Sequence, residues 1–274
     1  MIISPLPHSV CLYKAEDSTA YWSKRREKSP ADPSPQAAQL PSRKSVARPR
    51  SGIDEDRKFA VTEAYRKART NLTFSILKEG CKRIVFTSAN AAEGKTTTTA
   101  NVAISLAQQV GVKVLLIDCD LRKPKLNRFF GLKNVPGLTN YLVQNLPREE
   151  IIQSTRIPNL QIISAGTIIP NPSEILASPE MLKFVTALEE HYDFIILDSP
   201  PINAVIDAVS LSSLADGYVL VVRSGVTQTN DLDRAILALE KAQTKILGMI
   251  LNNAPLDTKK SHYYNYYSSD EGHQ

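Results

Sequence analysis

The sequence predicts an α/β fold with a doubly wound, mostly parallel sheet. Short apolar runs alternate with helical patterns from about residue 56 onward, as expected when helices cover both faces of a parallel sheet. The chain has 274 residues, of which 42% are hydrophobic and 22% charged, enough for one buried core with a tail at each end. We therefore expect a single folded domain.

Six apolar runs are predicted to form the strands of this sheet. Four have the short, continuous apolar character of buried strands, and two are further candidates. The four are residues 83–87, 114–117, 194–197 and 218–222, and the candidates are residues 160–164 and 246–251. Helices are predicted near residues 95–110, 179–191, 205–215 and 227–243, and helical connections of this kind join parallel strands.

The two ends of the chain differ in composition from the domain predicted at residues 56–255. Residues 1–55 are basic and rich in proline, and they carry most of the +5 net charge, so we predict a disordered arm. A flexible extension and a basic segment that contacts an acidic surface are equally compatible with it. Nucleic acid is not expected as a partner, because no DNA-reading element accompanies the charge. Residues 256–274 lack periodicity and are predicted to form a mobile tail.

Cysteine usage and hydropathy predict a cytoplasmic protein. Cys11, Cys81 and Cys119 are odd in number and show no C-x-x-C spacing, so neither a disulfide framework nor a zinc site is expected. No basic and apolar leader is evident, and no window reaches the roughly 18 apolar residues of a spanning helix. Association with the inner face of the plasma membrane is therefore expected only through a partner.

A phosphate-binding loop is predicted directly after the first buried strand. The run Ser88-Ala89-Asn90-Ala91-Ala92-Glu93-Gly94-Lys95-Thr96 matches the P-loop pattern except at its first glycine, which is Ala89. Such a loop directs backbone N–H groups and the positive end of a helix dipole at a polyphosphate. Gly94 permits close approach, Lys95 can reach the β- and γ-phosphates, and Thr96 can ligate Mg²⁺. A chance Gly-Lys-Thr is the alternative, and the preceding strand disfavours it.

Three acidic residues follow two other predicted strands. Asp118 and Asp120 end the 114–117 strand, with Arg122 behind them, and Asp198 ends the 194–197 strand. Because open α/β sheets bind ligands at the carboxyl ends of their strands, these acids are candidates for holding a metal or accepting a proton. The alternative is that each merely caps a turn. Together with the P-loop, the three acids favour a site for phosphoryl chemistry.

From about residue 56 to the C-terminus, the chain resembles the bacterial tyrosine kinases of capsule and exopolysaccharide systems, relatives of the MinD and ParA P-loop ATPases. The resemblance rests on the P-loop, the D-x-D-x-R element at Asp118, Asp120 and Arg122, and the sequence Asp198-Ser199-Pro200-Pro201. It implies a P-loop NTPase domain that uses ATP and Mg²⁺.

Site residues can be carried over from the resemblance. The implied catalytic residues are Asp118, Lys95, Asp120 and Arg122, with Asp118 as the candidate base. The implied nucleotide-binding residues are Ala91, Ala92, Glu93, Gly94, Lys95, Thr96, Thr97 and Asn253. Thr96, Asp118, Asp120 and Asp198 are the implied Mg²⁺ ligands. For Asn252 and Asn253, contact with adenine and capping of a strand end are equal alternatives.

Two further elements carry the resemblance. Glu63, Arg66 and Arg69 fit the family's E-x-x-R-x-x-R element, which implies a ring-shaped homo-oligomer, although an ordinary solvated helix face has the same spacing. The tail contains Tyr263, Tyr264, Tyr266 and Tyr267, which are the implied phosphate acceptors. A sticky aromatic tail is the alternative. A transmembrane adaptor that activates the kinase and a cognate tyrosine phosphatase are the other implied partners.

The resemblance implies an ATP-dependent autokinase that phosphorylates C-terminal tyrosines in trans and regulates capsule or exopolysaccharide synthesis and export. The alternatives are a MinD- or ParA-like ATPase switch and a catalytically silent, nucleotide-binding scaffold. The switch family has an additional lysine five positions before the Gly-Lys lysine, and Asn90 occupies that position here. This difference and the tyrosine tail favour the kinase.

Overall fold

An eight-stranded sheet forms the centre of the computed structural model, which describes residues 9–14 and 50–254 and the side chains of residues 58–254. The strands are β1 (Ser9–Lys14), β2 (Lys82–Ser88), β3 (Val114–Asp118), β4 (Ile152–Ser154), β5 (Leu160–Ile163), β6 (Phe194–Asp198), β7 (Gly217–Arg223) and β8 (Ile246–Ala254). Their order across the sheet is β1-β8-β7-β2-β6-β3-β5-β4. The edge strands β1 and β4 are antiparallel to their neighbours, and the six inner strands are parallel.

Helices connect the strands and cover the sheet. In the described part of the chain they are α1 (Arg50–Ser75), α2 (Lys95–Ala107), α3 (Leu126–Phe130), α4 (Leu138–Gln144), α5 (Arg148–Ile151), α6 (Pro172–Leu176), α7 (Pro179–Leu188), α8 (Asp207–Ser210) and α9 (Thr229–Lys241). A 3₁₀ turn, Ser212–Leu214, follows α8. No helix within the described ranges is both long and apolar enough to cross a bilayer.

The core has one layer on each face of the sheet, because alternate residues of a strand point to opposite faces. In β2, Ile84 and Phe86 are buried with residues of α1 and α2, such as Leu72 and Leu106. Val85 is buried in the other layer, which includes residues of α7 and α9. This two-sided burial explains why the inner strands are continuous apolar runs rather than alternating ones.

The predicted α/β class and the six predicted strands are confirmed. The helix predicted near residues 205–215 is instead the short helix α8 followed by the 3₁₀ turn. Strand β4 and the short helices α3 to α6 were not predicted, since segments of three to seven residues carry too little periodicity.

The ends of the chain are described only in part. Strand β1 and the first turn of α1 lie within residues 1–55, for which the sequence predicts disorder. Pairing with β8 supplies β1 with the non-local hydrogen bonds that its composition does not indicate. The rest of that predicted arm, and the predicted tail at residues 256–274 with its tyrosines, lie outside the described residues.

Candidate active site

Three neighbouring strands deliver the predicted site residues to one edge of the sheet. Strand β6 lies between β2 and β3, so the P-loop after β2 and the acids at the ends of β3 and β6 converge. Asp118 on β3 is the direct pairing partner of Asp198 on β6. Both side chains are fully buried. The parallel register therefore brings together carboxylates that are 80 positions apart in the sequence.

Lys95, the P-loop lysine, is anchored on Asp198. Its Nζ lies 2.7 Å from Asp198 Oδ1, and both side chains are buried. Asp198 Oδ1 also accepts a hydrogen bond from the Thr99 hydroxyl at 3.0 Å, and Asp198 Oδ2 accepts one from the Thr96 hydroxyl at 2.7 Å. A buried charge requires such pairing, because desolvation of an unpaired carboxylate is very costly. The acid predicted on β6 thus orders the lysine and threonine of the P-loop.

The P-loop backbone at Gly94 leaves no room for a side chain. Gly94 has a φ of 84°, in the left-handed region, and a Cβ there would lie 2.0 Å from Asn252 Nδ2. Helix α2 begins at the next residue, and its first backbone bond runs from Thr98 N–H to Gly94 O at 2.9 Å. The N–H groups of residues 95–97 therefore have no carbonyl partner within the helix, as an anion-binding helix start requires.

The loop after β7 and strand β8 both hold the P-loop at Glu93. The buried carboxylate accepts a hydrogen bond from the Thr227 hydroxyl at 2.6 Å and one from Asn90 N–H at 3.1 Å. Asn252 Nδ2 donates to the Glu93 carbonyl at 2.9 Å. Burial raises the pKa of Glu93, and the Thr227 hydroxyl and Asn90 N–H, which bond the carboxylate, oppose the rise. Sequence analysis did not single out Thr227, which has no local motif and acts across a separation of 134 residues.

The side chain of Asn90 turns away from the phosphate side of the loop toward helix α9. Its Nδ2 donates to Asp231 Oδ2 at 2.7 Å. Nearby, Arg223 Nη1 donates to the Ala92 carbonyl at 3.0 Å. These contacts bind the P-loop to the end of β7 and to the first turn of α9. Asn90, which occupies the position of the extra lysine of switch ATPases, thus makes a contact within the chain.

Asp118 sits under the loop that follows its own strand. Its Oδ1 accepts from Asp120 N–H and its Oδ2 from Leu126 N–H, each at 3.1 Å. Burial, followed by repulsion from Asp198, raises the pKa of Asp118 to about 7, and Lys95 opposes that rise. Burial also raises the pKa of Asp120, whose Oδ1 accepts from Lys123 N–H at 3.0 Å. A carboxylate with a pKa near neutral pH suits exchange of a proton with a substrate.

Comparison with known proteins decides the family. A protein-family model described as "AAA domain" matches residues 81–251, more than half of the chain. The chain is 37% identical over 218 residues to a putative tyrosine-protein kinase, CapB, of Staphylococcus aureus, covering 80% of this chain and 95% of that protein. This chain belongs to the bacterial tyrosine-protein kinase family.

Solved structures agree with this assignment. The kinase domain of the Escherichia coli tyrosine kinase ETK matches with a TM-score of 0.69 and 32% identity, covering 72% of this kinase and 77% of that chain. The septum site-determining protein MinD from Pyrococcus horikoshii OT3, complexed with Mg-ADP, matches with a TM-score of 0.54 and 26% identity. The match covers 66% of this kinase and 76% of the MinD chain. The kinase prediction is thus favoured over the MinD-like alternative, and the shared P-loop fold implies nucleotide binding.

The kinase has no cluster of three or more His, Cys, Asp or Glu side chains in its described residues that could hold a metal ion unaided. Asp118 and Asp198 are adjacent, but their oxygens are engaged by backbone N–H groups, Lys95 and threonines. This donor set fits Mg²⁺ bound together with a nucleotide, because Mg²⁺ takes one or two carboxylates and completes its shell with phosphate oxygens and waters.

Arg122 of the D-x-D-x-R element is held by an acid that sequence analysis missed. Its Nε lies 2.7 Å from Asp207 Oδ2 and its Nη2 lies 3.0 Å from Asp207 Oδ1, a two-pronged ion pair. The Asp207 side chain is 0% exposed, whereas that of Arg122 is 41% exposed. An isolated Asp before an apolar turn, 85 positions away, carries no motif that could have predicted the pair.

The remaining predicted residues of the kinase have different environments. On α1, Glu63 and Arg66 pair with each other at 2.6 Å, and the Arg66 side chain is exposed. Arg69 instead donates from Nη1 to the Ser105 carbonyl of α2 at 2.8 Å. Asn253 has a φ of 62° near the end of β8, where it is the adjacent Asn252 that reaches the P-loop. The four acceptor tyrosines lie outside the described residues.

Proposed function

We propose that this kinase transfers the γ-phosphoryl group of ATP to Tyr263, Tyr264, Tyr266 and Tyr267 in the tail of a neighbouring copy, and thereby regulates capsule or exopolysaccharide synthesis and export. The observation that carries the proposal is the buried contact of Asp198 with Lys95 and Thr96 beside Asp118. It joins the phosphate-binding element to an acid of near-neutral pKa at one sheet edge.

ATP is the proposed nucleotide, and its phosphates would lie on the amides at the start of α2. Ala91, Ala92, Glu93, Gly94, Lys95, Thr96 and Thr97 would surround them, with Asn253 toward the base. Thr96, Asp118, Asp120 and Asp198 would hold Mg²⁺, which neutralises phosphate charge when bound. The N–H groups at the start of α2 support this placement, because they have no carbonyl partner within the helix and can bind an anion.

The proposed reaction forms a bond between the tyrosine phenol oxygen and the γ-phosphorus and breaks the bond to the β–γ bridging oxygen. ADP leaves, and the phenol proton passes to Asp118. Its pKa of about 7 supports this role, because a base of that pKa is substantially ionised at neutral pH and still accepts a proton. Lys95 would remain beside the phosphates to stabilise the charge that develops there.

Transfer in trans needs a neighbouring copy of the chain. Glu63, Arg66 and Arg69 are the proposed contacts of a ring-shaped homo-oligomer, and the exposed Glu63–Arg66 pair supports an outward role for the first two. We propose that the chain is cytoplasmic and that a transmembrane adaptor recruits and activates it. A cognate tyrosine phosphatase would reverse the reaction. Each phosphate adds about −1.5 to −2 charges, which would repel adjacent tails and loosen the ring.

The test is incubation of the purified full chain with ATP and Mg²⁺, alone and together with the proposed adaptor, followed by phosphotyrosine detection and a free-phosphate assay. Phosphotyrosine is expected in the wild type and absent in Lys95→Met and in a chain ending before Tyr263. Lys113→Met is the matched control, because Lys113 is an exposed lysine at the amino end of β3, on the opposite edge of the sheet. Mixing the truncated chain with Lys95→Met should restore phosphotyrosine, since the one supplies the active site and the other the tail.

Each alternative has its own outcome in that experiment. Release of phosphate without phosphotyrosine would establish an ATPase switch and overturn the proposal. Nucleotide binding with neither product would establish a scaffold. Phosphotyrosine that persists after removal of the tail would place the acceptors elsewhere in the chain.

A further inference from the structure

The segment that carries Asp118 and Asp120 is held by two sets of contacts, one with buried Asp118 and one with partly exposed Arg122. On the inner side, Asp118 accepts backbone N–H groups from Asp120 and Leu126. On the outer side, Arg122 is bound by Asp207 at two points. Since Arg122 lies two residues beyond Asp120, the ion pair limits the positions that the intervening backbone can take.

Asp207 is itself fixed to the core. It is the first residue of α8, and the next residue, Ala208, accepts a hydrogen bond through its carbonyl from the Tyr218 hydroxyl at 2.8 Å. Tyr218 is a fully buried residue of β7. The ion pair therefore links the loop after β3, through α8, to a residue near the amino end of β7, on the far side of β2.

The connection between Asp198 and Asp207 also contacts the start of the P-loop. Ile202 N–H donates to the Ser88 carbonyl at 2.9 Å, and Asn203 N–H donates to the Ala89 carbonyl at 3.2 Å. Asp207 thus belongs to a segment that touches the P-loop at one end and Arg122 at the other. This segment therefore connects the phosphate-binding loop to the loop that carries Asp118 and Asp120 through direct contacts with both.

We infer that Asp207 is a positioning residue for phosphoryl transfer, acting through Arg122. Asp207 fixes the guanidinium by two of its five N–H donors, while the Arg122 side chain, with its other donors, stays 41% exposed. Those donors suit an anionic group such as a transferring phosphoryl. The inference rests on the proposed kinase function, and it adds a residue that lies outside every motif discussed above.

The experiment measures autophosphorylation of the full chain and determines kcat and the KM for ATP separately. Asp207→Asn should lower kcat about 10- to 100-fold, because a misplacement of about 1 Å at a reacting group is that costly. The KM for ATP should stay at the wild-type value, since Lys95 and the P-loop bind the nucleotide. Asp207→Glu keeps the charge and should recover part of the loss.

A double-variant cycle separates action through Arg122 from a general effect. If Asp207 acts through Arg122, the combination of Asp207→Asn with Arg122→Gln should be no slower than Arg122→Gln alone. Asp216→Asn is the matched control. Asp216 pairs with Lys78 and Arg83 immediately before β7, at the opposite end of that strand from the site. This control should lower the melting temperature and leave kcat per folded molecule unchanged.

Several outcomes would overturn the inference. These are a wild-type kcat in Asp207→Asn, losses that multiply in the double variant, or an equal loss of kcat in Asp216→Asn. Loss of folding in Asp207→Asn would be seen as loss of the melting transition. The cycle with Arg122→Gln is then measured with Asp207→Glu in place of Asp207→Asn, and its kcat values test the inference. A wild-type chain without phosphotyrosine would instead contradict the proposed function, and the inference would fall with it.

Discussion

Asp118 and Asp198 occupy directly paired positions on neighbouring parallel strands, so two buried carboxylates share one site. Lys95 bonds to Asp198, whereas Asp118 receives only backbone N–H groups. The two acids therefore differ in their partners: Asp198 is paired with a cation, and Asp118 is not. Burial and the neighbouring Asp198 raise the pKa of Asp118 to about 7, so Asp118 can exchange a proton near neutral pH.

The rate of phosphoryl transfer should rise with pH. Because Asp118 accepts the phenol proton only when ionised, kcat is expected to increase with pH through the pKa of Asp118 and to level off above it. Bound Mg²⁺ lowers that pKa below its metal-free value of about 7. Single-turnover autophosphorylation from pH 5.5 to 8.5 measures this, with nucleotide binding followed in the same buffers. Asp118→Asn should lose the rise along with most of the rate. A flat profile in the wild type would contradict the role of Asp118 as base.

Gly94→Ala should abolish nucleotide binding. The added Cβ would lie 2.0 Å from Asn252 Nδ2, so either the P-loop or the Asn252 contact with the Glu93 carbonyl must move. Gly111→Ala is the matched control, since Gly111 also has a positive φ, of 76°, but a Cβ there meets nothing within 4 Å. Both variants should lose about 1 kcal/mol of stability from backbone strain. Calorimetric titration with ADP should show loss of binding in Gly94→Ala alone.

Thr227→Val should weaken both folding and nucleotide binding. It removes the hydroxyl that donates to Glu93 at 2.6 Å and accepts from Arg223 N–H at 2.8 Å, and each group left without its partner costs about 1–3 kcal/mol. Thr244→Val is the control, because the Thr244 hydroxyl bonds only a carbonyl at the end of α9. Thermal melts and ADP titration would compare the two. Equal effects on ADP affinity would exclude a role for Thr227 at the P-loop.

Arg66→Ala and Arg69→Ala should differ. Arg66 makes an exposed pair with Glu63, worth only about 0.2–0.5 kcal/mol, so its loss should leave the melting temperature nearly unchanged and reduce the oligomer to smaller species. Arg69 bonds Ser105 on α2, so its loss should destabilise the fold by about 1–3 kcal/mol. Light scattering after gel filtration and thermal melts measure the two effects. An unchanged mass for Arg66→Ala would contradict the proposed interface.

The sequence by itself determined the inner strands, the P-loop and the three acids. These features are encoded locally: continuous apolar runs mark strands buried on both faces, and Gly94 with Lys95 and Thr96 marks a loop before a helix. Acids at strand ends could be placed at the same sheet edge because parallel strands share it. That much follows without knowing which strands are neighbours.

Only the tertiary structure decided which residues meet. The order of the strands makes Asp118 and Asp198 neighbours. The packing of the other elements brings together three further pairs: Asn252 with Gly94, Asn90 with Asp231, and Asp207 with Arg122. Arg69 likewise bonds the Ser105 carbonyl on α2, a contact that its spacing from Glu63 and Arg66 does not predict. The physical reason is the same in each case: these contacts join residues far apart in the chain, and a single hydrogen bond or ion pair leaves no periodic trace in the sequence.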